Sequence, residues 1–565
     1  NFSRNLPGYI QGTNLLLKVR LANSTYYNLG YFQIKDDNSA FSYVYPISGV
    51  SNPFSHATIE ELNLNYSLNS GATSSALKVG LPSQYNYPSA QGHYDFYEVQ
   101  YSRSFSSVTN DFIRIWAPDT LANVEFQVSP FTSSDIKAFD VTDYGNLRLI
   151  NPISISNGVV RFQDEIQANP KEYIVSAFSN FKTPLSISGK IPNQNLNGIT
   201  DGADFIIFSH PDFLSAANRL KAHRETPGKH YLKTFVFDIN QVFNEFSGGI
   251  ADPLAMRNFL KHAFINWQTK PVYVLFLGDG SFDYKNIYNL SQKNFVPPVQ
   301  KSDPQINEIS SYVSDDFLVE INESYSEPFP GRPDFATGRF TVNSLSEANI
   351  MVDKIIEYES SSSLGNWKKK IMYVADDGWT TENNQGQENS IHTDQCETIA
   401  EIYTPKDFEK DKIYIVTYPA VITPQGRRKP GANVDIIKGW NDGRLVINYV
   451  GHGSTDLWAH EHVFVRDESI PQLTNKNKYP LVTIASCDLA RWDDPFLISA
   501  AEQLAGESNK GAIAVIAAVR PVYSAPNATF NNYLWNNFMF AKDTLNLPIR
   551  IGRAMYNVKN QLPSI

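Results

Sequence analysis

Two apolar runs of this chain each end in a residue that could take part in covalent catalysis. Residues 444–450 lead through a glycine to His452, and residues 479–486 lead to Cys487. Both runs are rich in β-branched residues, a pattern typical of parallel strands buried on both faces. Ligands bind at the carboxyl ends of such strands. His452 and Cys487 are 35 residues apart, which leaves room for one crossover. The spacing therefore predicts a cysteine nucleophile and its base at neighbouring strand ends.

The predicted chemistry needs further groups around this pair. A histidine beside a thiol favours the reactive thiolate by pairing with it. We expect the backbone N–H groups of Gly453 and Cys487 to bind the oxyanion of a tetrahedral intermediate. Gly453 has no Cβ, which lets a substrate backbone approach closely. A carboxylate should orient the imidazole, and Asp376 and Asp377, which follow the apolar run 370–375, are the candidates by position.

The composition indicates a large folded protein. The chain of 565 residues exceeds the size of one core, so we expect three domains. An apolar content of 42% excludes wholesale disorder, and a net charge of −10 argues against nucleic acid as a partner. No apolar stretch reaches the ~18 residues that cross a bilayer, so we expect no transmembrane span. The opening residues do not resemble a signal peptide, and the chain ends just after an apparent helix, so we expect a portion of a longer protein.

The chain has two cysteines, Cys396 and Cys487. Cys396 lies in a segment where Ile391, Ile399 and Ile402 approximate one helical face, and we interpret it as a small core residue. A disulfide between the two cysteines would block the predicted nucleophile, and we do not expect one. Sparse cysteine suits the cytosol, and it equally suits an exported enzyme with a free catalytic thiol.

The first third of the chain reads as β structure. Residues 1–198 contain short strand-like runs separated by clusters of Gly, Pro, Asn and Ser, a pattern typical of an antiparallel sandwich. No catalytic constellation is found in this region. We interpret it as a scaffold or docking region.

From residue 199 onward, strand and helix patterns alternate. Helical patterns at 253–267 and 346–359 lie between apolar strand-like runs, which predicts βαβ units and mostly parallel sheets. A Ser-rich hinge divides this part into a first α/β subdomain, 199–365, and a second, 366–565. The second subdomain carries the candidate nucleophile and base.

Four residues near the candidate base also suggest zinc: His452, His460, Glu461 and His462. Zinc peptidases commonly place two histidines at positions i and i+4 of a helix, whereas His460 and His462 are two residues apart. No second group of carboxylates or thiolates has ligand spacing. We therefore predict no catalytic metal.

The segments around the two site residues resemble the catalytic signature of the gingipain-type cysteine peptidases, which belong to the caspase-like clan. These segments are 448–458, containing His-Gly-Ser, and 485–487, Ala-Ser-Cys. Further matches occur in the same order at 312–316, 338–340 and 511–518. The resemblance covers about residues 200–565. It implies an α/β caspase-like catalytic region, preceded here by an all-β region.

The chain also departs from the arginine-specific members of that family. Segments 488–495 and 519–524 instead resemble the signal peptidases and sortases of the type IX secretion system of Bacteroidetes. The acidic residue that selects arginine aligns near Ser390, so an arginine-selective pocket is not retained. The carboxylate that assists the histidine aligns best with Asp377. Candidate substrate-binding residues in or near the matching segments are Trp458, Arg520 and Tyr523.

The resemblance implies a cysteine endopeptidase and transpeptidase with a Cys-His dyad. It would remove a C-terminal signal domain from secreted cargo, and an amine of anionic lipopolysaccharide, or water, would resolve the acyl-enzyme on Cys487. It implies the outer face of the outer membrane, the β-barrel protein PorV as partner, no required cofactor, and calcium as an ion the family can bind. Two alternatives stay open: a plain secreted gingipain-type endopeptidase, and an inactive docking or scaffold module.

Overall fold

The computed structural model describes residues 1–106, 108–167, 171–183, 189–228, 231–290, 294–302, 307–322, 332–380 and 387–562. The chain forms two compact units, residues 1–192 and residues 193–303 with 308–565. Among the described residues, no helix has the length and apolar character needed to cross a membrane.

The first unit is built from antiparallel strands. These are β1 Phe2–Asn5, β2 Leu15–Asn23, β3 Gly30–Asp36, β4 Ser42–Ile47, β5 Thr58–Tyr66, β6 Ser74–Gly80, β7 Gly92–Tyr101, β8 Phe112–Trp116, β9 Ala122–Val128, β10 Ile136–Asp140, β11 Arg148–Leu149, β12 Ile153–Ser156, β13 Val159–Ile166 and β14 Glu172–Ala177. Strand β2 shows why they form sheets, because its alternate residues are fully buried while those between are half-buried.

These strands make two sheet pairs, each around its own core. The first pair has the orders β1-β6-β3-β4 and β5-β2-β7, and the second has β11-β10-β14-β8 and β12-β13-β9. Residues of both sheets in each pair share one hydrophobic cluster. This is the sandwich architecture expected when antiparallel sheets bury one face each.

The second unit begins with a parallel sheet of order β16-β15-β17-β20. The strands of this part are β15 Phe205–Ser209, β16 Thr234–Asp238, β17 Tyr273–Leu277, β18 Val299–Gln300, β19 Val313–Ser314 and β20 Ala336–Phe340. Its helices are α1 Leu214–Arg224, α2 Ile239–Phe246, α3 Leu254–Asn266 and α4 Leu345–Glu359. Helices α2 and α3 pack on one face of the sheet, and α1 and α4 pack on the other.

A second parallel sheet follows, of order β22-β21-β25-β28-β29. The strands of this part are β21 Lys370–Ala375, β22 Glu409–Tyr414, β23 Val421–Thr423, β24 Gly426–Arg428, β25 Val446–Val450, β26 Leu457–Trp458, β27 Phe464–Val465, β28 Leu481–Ala485 and β29 Ala514–Ala517. Its helices are α5 Ile391–Glu397, α6 Pro430–Asp442, α7 Arg466–Ser469, α8 Ala500–Gly506, α9 Ser524–Asn537 and α10 Ile551–Gln561. Every residue of β25 is buried because α6 and α8 cover one face of the sheet and α5 and α9 the other.

The predicted fold class is confirmed: an α/β region with parallel sheets follows an all-β region. The buried central strands also explain the uninterrupted apolar runs, since a strand covered on both faces has no solvent side for polar residues.

Candidate active site

Three neighbouring strands end at the same edge of the second sheet. Strands β21, β25 and β28 are adjacent and parallel, and their last residues lie opposite one another in register. The chain continues past these strands by one or two residues to Asp376, His452 and Cys487 respectively. Parallel pairing therefore brings together three side chains that are far apart in the sequence.

The imidazole of His452 is held by Asp376. The Nδ1 atom lies 2.7 Å from Asp376 Oδ2, and the His452 backbone N–H donates to the same oxygen at 2.9 Å. Burial alone would raise the pKa of the Asp376 carboxyl, but the hydrogen bonds and charge of His452 outweigh it and lower that pKa. The hydrogen bond to Asp376 in turn raises the pKa of His452. Asp376 thus stabilises the imidazolium that forms when His452 accepts a proton.

This geometry corrects the expectation that Asp377 assists His452. Asp377 Oδ2 pairs with Lys429 Nζ at 2.7 Å, and both side chains are fully buried. The Asp377 Oδ1 atom accepts the backbone N–H of Trp379 at 2.9 Å. Successive residues at the end of an extended strand point to opposite sides, so only one of the two aspartates faces the imidazole.

The thiol of Cys487 lies against the segment after β29. Its Sγ accepts the backbone N–H of Val522 at 3.4 Å and lies 3.5 Å from the Val522 carbonyl oxygen, to which the thiol can donate. Burial raises the pKa of the Cys487 thiol, against the opposing effect of the Val522 hydrogen bond. Within the described chain, no hydrogen bond joins Sγ to His452. The resting thiol is therefore protonated at neutral pH, and a base must take its proton before attack.

His452 and Cys487 line one cavity. The other lining residues are His392, Gln395, Val450, Gly451, Ala485, Ser486, Val522, Ser524, Asn527 and Ala528. None of these lining side chains is a carboxylate, so they offer no counter-charge to an arginine side chain. Ser390, which aligns near the arginine-selecting position, instead donates its hydroxyl to Asp394 Oδ2 at 2.9 Å.

The sequence pattern did not single out His392. The predicted helical face is correct only in part. Ile399 is 1% exposed, but Ile391 in α5 and Ile402 in the π-helix that follows it are 49% and 71% exposed. The face of α5 that packs on the sheet carries His392 and Cys396, which are 7% and 0% exposed, and a test of their i, i+4 spacing could have found it. The His392 ring lies edge-on to His452 with centroids 5.1 Å apart. Burial lowers the pKa of His392, which favours its neutral form.

Gly453 sits where a side chain does not fit. An added Cβ would lie 2.5 Å from Ser486 Oγ, so the close neighbour of Gly453 is the residue that precedes the cysteine. Gly453 faces Trp458 in an antiparallel bridge whose hydrogen bonds are donated by Ser454 and Ala459. In such a pair the N–H of Gly453 points away from the facing segment. It stays a predicted oxyanion donor together with the N–H of Cys487.

Two of the three candidate substrate-binding residues are structural, which corrects that expectation. Trp458 is 0% exposed and stacks on Tyr449 with centroids 4.5 Å apart. Arg520 is 9% exposed, and its Nη1 donates to Asp493 Oδ1 at 2.7 Å. Core packing and a buried ion pair occupy these side chains. Tyr523 is 62% exposed directly before α9, whose first turns line the cavity, and it stays a candidate.

Two groups of potential metal ligands converge in the described part of the chain. They are Asp376, His392 and His452, and Asp376, Asp377 and Glu461. Neither group contains His460 or His462 of the zinc alternative. In the second group, Asp377 and Glu461 already pair with the cations of Lys429 and Arg427, and Asp376 is bound by His452, so this group does not fit calcium.

The charged residues behind the imidazole were also missed. Arg427 and Lys429 flank the end of the β23–β24 hairpin, and Arg427 Nε donates to Glu461 Oε1 at 2.9 Å. The run Arg-Arg-Lys at 427–429 is the signal that could have indicated a buried charge cluster. The local sequence does not show that Arg427 pairs with Glu461, because this contact depends on how the hairpin packs.

Comparison with known proteins identifies the family to which this chain belongs. Residues 199–564 match the sequence profile of peptidase family C25. Gingipain R2 of Porphyromonas gingivalis is 25% identical over 242 residues, covering 42% of this chain and 27% of the relative. Gingipain R1 of the same species is 25% identical over the same share of this chain and 20% of its own length. This chain thus spans about a quarter or less of the curated relatives it matches.

A solved structure shows the same fold. The crystal structure of dimeric latent PorU from Porphyromonas gingivalis aligns with a TM-score of 0.54 and 23% identity, covering 65% of this chain and 36% of that chain. The family profile covers well over half of the chain, including the three strand ends of the candidate site. This chain belongs to peptidase family C25, a family of cysteine peptidases that includes proteins of the gingipain type.

Proposed function

We propose that this protein is a cysteine transpeptidase of type IX secretion, which removes the C-terminal signal domain from secreted cargo and transfers the cargo to an amine. The observation that carries the proposal is the convergence of Asp376, His452 and Cys487 at adjacent strand ends, with His452 and Cys487 in one cavity. This arrangement has the three roles of a nucleophile, a base and a group that orients the base.

In the first half of the reaction, Cys487 attacks the scissile carbonyl. His452 Nδ1 is bound to Asp376, so Nε2 is the nitrogen left to take the thiol proton. The carbonyl oxygen becomes an oxyanion, for which the N–H groups of Gly453 and Cys487 are the proposed donors. The C–N bond of the tetrahedral intermediate then breaks, and His452 donates its proton to the departing amine of the signal domain. The signal domain leaves, and the cargo stays as an acyl-enzyme on Cys487.

In the second half, an acceptor attacks the acyl-enzyme. An amine gives transfer and water gives hydrolysis, and in both cases His452 takes the proton of the attacking group. We propose an amine of anionic lipopolysaccharide as the acceptor, at the outer face of the outer membrane and with PorV as partner. The segments 488–495 and 519–524 support this more specific assignment through their resemblance to type IX signal peptidases. The chemistry requires no cofactor.

The test uses a carrier protein fused to a type IX C-terminal signal domain, with and without a small primary amine such as glycinamide. Intact mass spectrometry compares wild type, Cys487→Ala and the matched control Cys396→Ala. Cys396 is fully buried and burial raises the pKa of its thiol to about 12, so it should be inert. We expect wild type and Cys396→Ala to release the signal and join the amine to the carrier, and Cys487→Ala to do neither.

Other results would point elsewhere. Hydrolysed carrier without amine addition, or cleavage of unrelated proteins, would indicate a plain gingipain-type endopeptidase. Equal inactivity of wild type and Cys487→Ala would favour a docking or scaffold role instead.

A further inference from the structure

A buried carboxylic side chain lies behind the base and has no part in the reaction above. Glu461 is 1% exposed. Ligand oxygens of Asp376, Asp377 and Glu461 lie within 4.8 Å of one another. Three carboxylates this close cannot all be ionised without strong repulsion in a low-dielectric site.

Most carboxylate oxygens in this cluster have a hydrogen-bond partner. Both oxygens of Asp377 are used, by Lys429 and by the Trp379 N–H. Asp376 Oδ2 is bound by His452, and Glu461 Oε1 accepts from Arg427.

Two buried oxygens of the cluster lack a partner among the described residues, Asp376 Oδ1 and Glu461 Oε2. A buried acceptor without a donor is costly, and carboxylates supply donors only when they are protonated. One proton on Glu461 Oε2 would supply the donor that the Asp376 oxygen lacks.

The count of charges supports the same conclusion. Lys429 and Arg427 are the two cations that pair with carboxylates of the cluster. Both also pair with Glu388, a fourth carboxylate. Asp376 is balanced by His452 when the imidazole is protonated. With the imidazole protonated, a neutral Glu461 leaves the buried cluster close to charge balance, and in either state of the imidazole an ionised Glu461 adds one more negative charge.

We infer that Glu461 is a positioning residue for the proposed reaction. It is a neutral carboxylic acid whose O–H group donates a hydrogen bond to Asp376 Oδ1, so that Asp376 Oδ2 stays directed at His452. This inference rests on the proposed function, because His452 is the base it serves. Both oxygens of Asp376 are then bound, one on each side, and the carboxylate cannot rotate away from the imidazole.

The inference predicts a pH dependence. Burial, followed by the charges of Asp377 and Asp376, raises the pKa of Glu461 to about 7. The proton is therefore present below about pH 7 and is lost above it, when the new charge also raises the pKa of His452. The titratable and charged groups that face this cluster are Asp376, Asp377, Glu388, His392, Arg427, Lys429, Tyr449, His452 and His460.

The first measurement is the alkylation rate of Cys487 by iodoacetamide as a function of pH, read by peptide mass spectrometry. The variant Glu461→Gln keeps an acceptor for Arg427 and gains a permanent N–H donor for Asp376. We expect its rate to equal that of wild type about one pH unit below 7 and to exceed it about tenfold one unit above. Glu461→Ala should be slower than wild type by about tenfold at the lower pH.

The matched control is Glu388→Gln, which also changes a carboxylate partner of Arg427. The side chain of Glu388 is 34% exposed, whereas Glu461 is buried. The ratio of the Glu388→Gln rate to that of wild type should not change with pH. A purely structural role for Glu461 would instead lower the rates of Glu461→Gln and Glu461→Ala equally at every pH, and that result would overturn the inference.

The second measurement is the infrared C=O stretch of protonated carboxyl groups in wild type. We expect a band that disappears as the pH rises through about 7 and that is absent from Glu461→Gln. The buried acid Glu502, whose pKa is raised to about 8 by burial, provides the control, because Glu502→Gln should remove a different band. Failure to find the Glu461 band would refute the inference.

Both measurements are independent of cargo. An enzyme that leaves the cargo untouched but shows the Glu461 band and the pH-dependent alkylation ratio would contradict the proposed transpeptidase and not this inference.

Discussion

The two parallel sheets of the second unit both end in polar residues, yet they use them differently. In the first sheet, Asp238 Oδ1 accepts the N–H of Asn240 at 2.9 Å and begins α2. The ring of His210 accepts the N–H of Asp212 at 3.3 Å. These side chains complete the hydrogen bonds of the turn that follows each strand.

In the second sheet the corresponding residues bind one another. The carboxylate of Asp376 is hydrogen-bonded to both the backbone N–H and the imidazole of His452, and the imidazole shares a cavity with Cys487. A polar residue at the end of a buried strand is thus common to both sheets. Binding between neighbouring strand ends also occurs in the first sheet, where Asn343 Nδ2 after β20 donates to Asp279 Oδ2 after β17 at 2.9 Å. What distinguishes the second sheet is that its strand ends bring a base and a nucleophile to one cavity.

The largest expected effect contrasts the two strand-end histidines. His452→Ala should lower kcat/KM for signal-domain release by roughly 10⁴-fold, because the variant lacks the base that takes the thiol proton and returns it to the departing amine. His210→Ala should leave kcat/KM unchanged within about twofold, since the ring caps a turn. The assay is the release of the signal domain measured for both variants. Similar losses in both would remove the distinction between the sheets.

The second prediction concerns the aspartate that faces away from the imidazole. Asp377→Asn leaves the buried ammonium of Lys429 with Glu388 as its one carboxylate partner in the described part of the chain. We expect the free energy of unfolding to fall by about 3 kcal/mol, as measured by urea denaturation. The kcat of the folded protein should fall less than in Asp376→Asn. A stable but inactive Asp377→Asn variant would show that Asp377 acts on the base after all.

The third prediction concerns the aspartate that holds the base. Asp376→Asn should lower kcat by roughly hundredfold, because an amide orients the imidazole without stabilising the imidazolium. The pKa of His452 should fall, since the hydrogen bond that its imidazole makes to the Asp376 carboxylate is the main cause of its increase. The midpoint of the alkylation profile of Cys487 tests this. An unchanged profile would contradict the assigned role.

The smallest expected effect, when it is measured per unit of pH, concerns a carboxyl beside the first sheet. Burial, and next the charge of Asp279 after β17, raises the pKa of Glu502 to about 8 from an ordinary 4.5. The folded state therefore keeps a proton that the unfolded state loses between these values, so this group's contribution to stability falls as the pH rises. Glu502→Gln should gain stability relative to wild type by about 1.4 kcal/mol per pH unit in that window.

Denaturation of both proteins at several pH values measures this difference. Because Asp279 raises the pKa of Glu502, the double variant Asp279→Asn/Glu502→Gln should show no further pH dependence from this pair. A constant difference between Glu502→Gln and wild type would show that Glu502 is ionised in the folded state.

Much of the fold follows from local patterns. The helical patterns at 253–267 and 346–359 agree with α3 and α4 to within one residue at each end. The apolar runs before His452 and Cys487 form β25 and β28, because strands covered on both faces must be apolar throughout. The face of α5 was harder to predict, since a short helix that continues into a π-helix at Thr398–Tyr403 does not keep one regular period.

The ends of the strands, and the histidine and cysteine that follow them, can be read from the local sequence. Hydrophobicity and its periodicity are local properties of the sequence, and they can be seen before the segments that pack together are known. The tertiary structure decided that Asp376 and not Asp377 binds the imidazole, that Arg520 and Trp458 serve the core, and that Glu461 lies beside Asp376. These outcomes depend on strand order, register and the packing of a distant hairpin, and adjacent residues of the same type differ only in the direction that the folded backbone gives them.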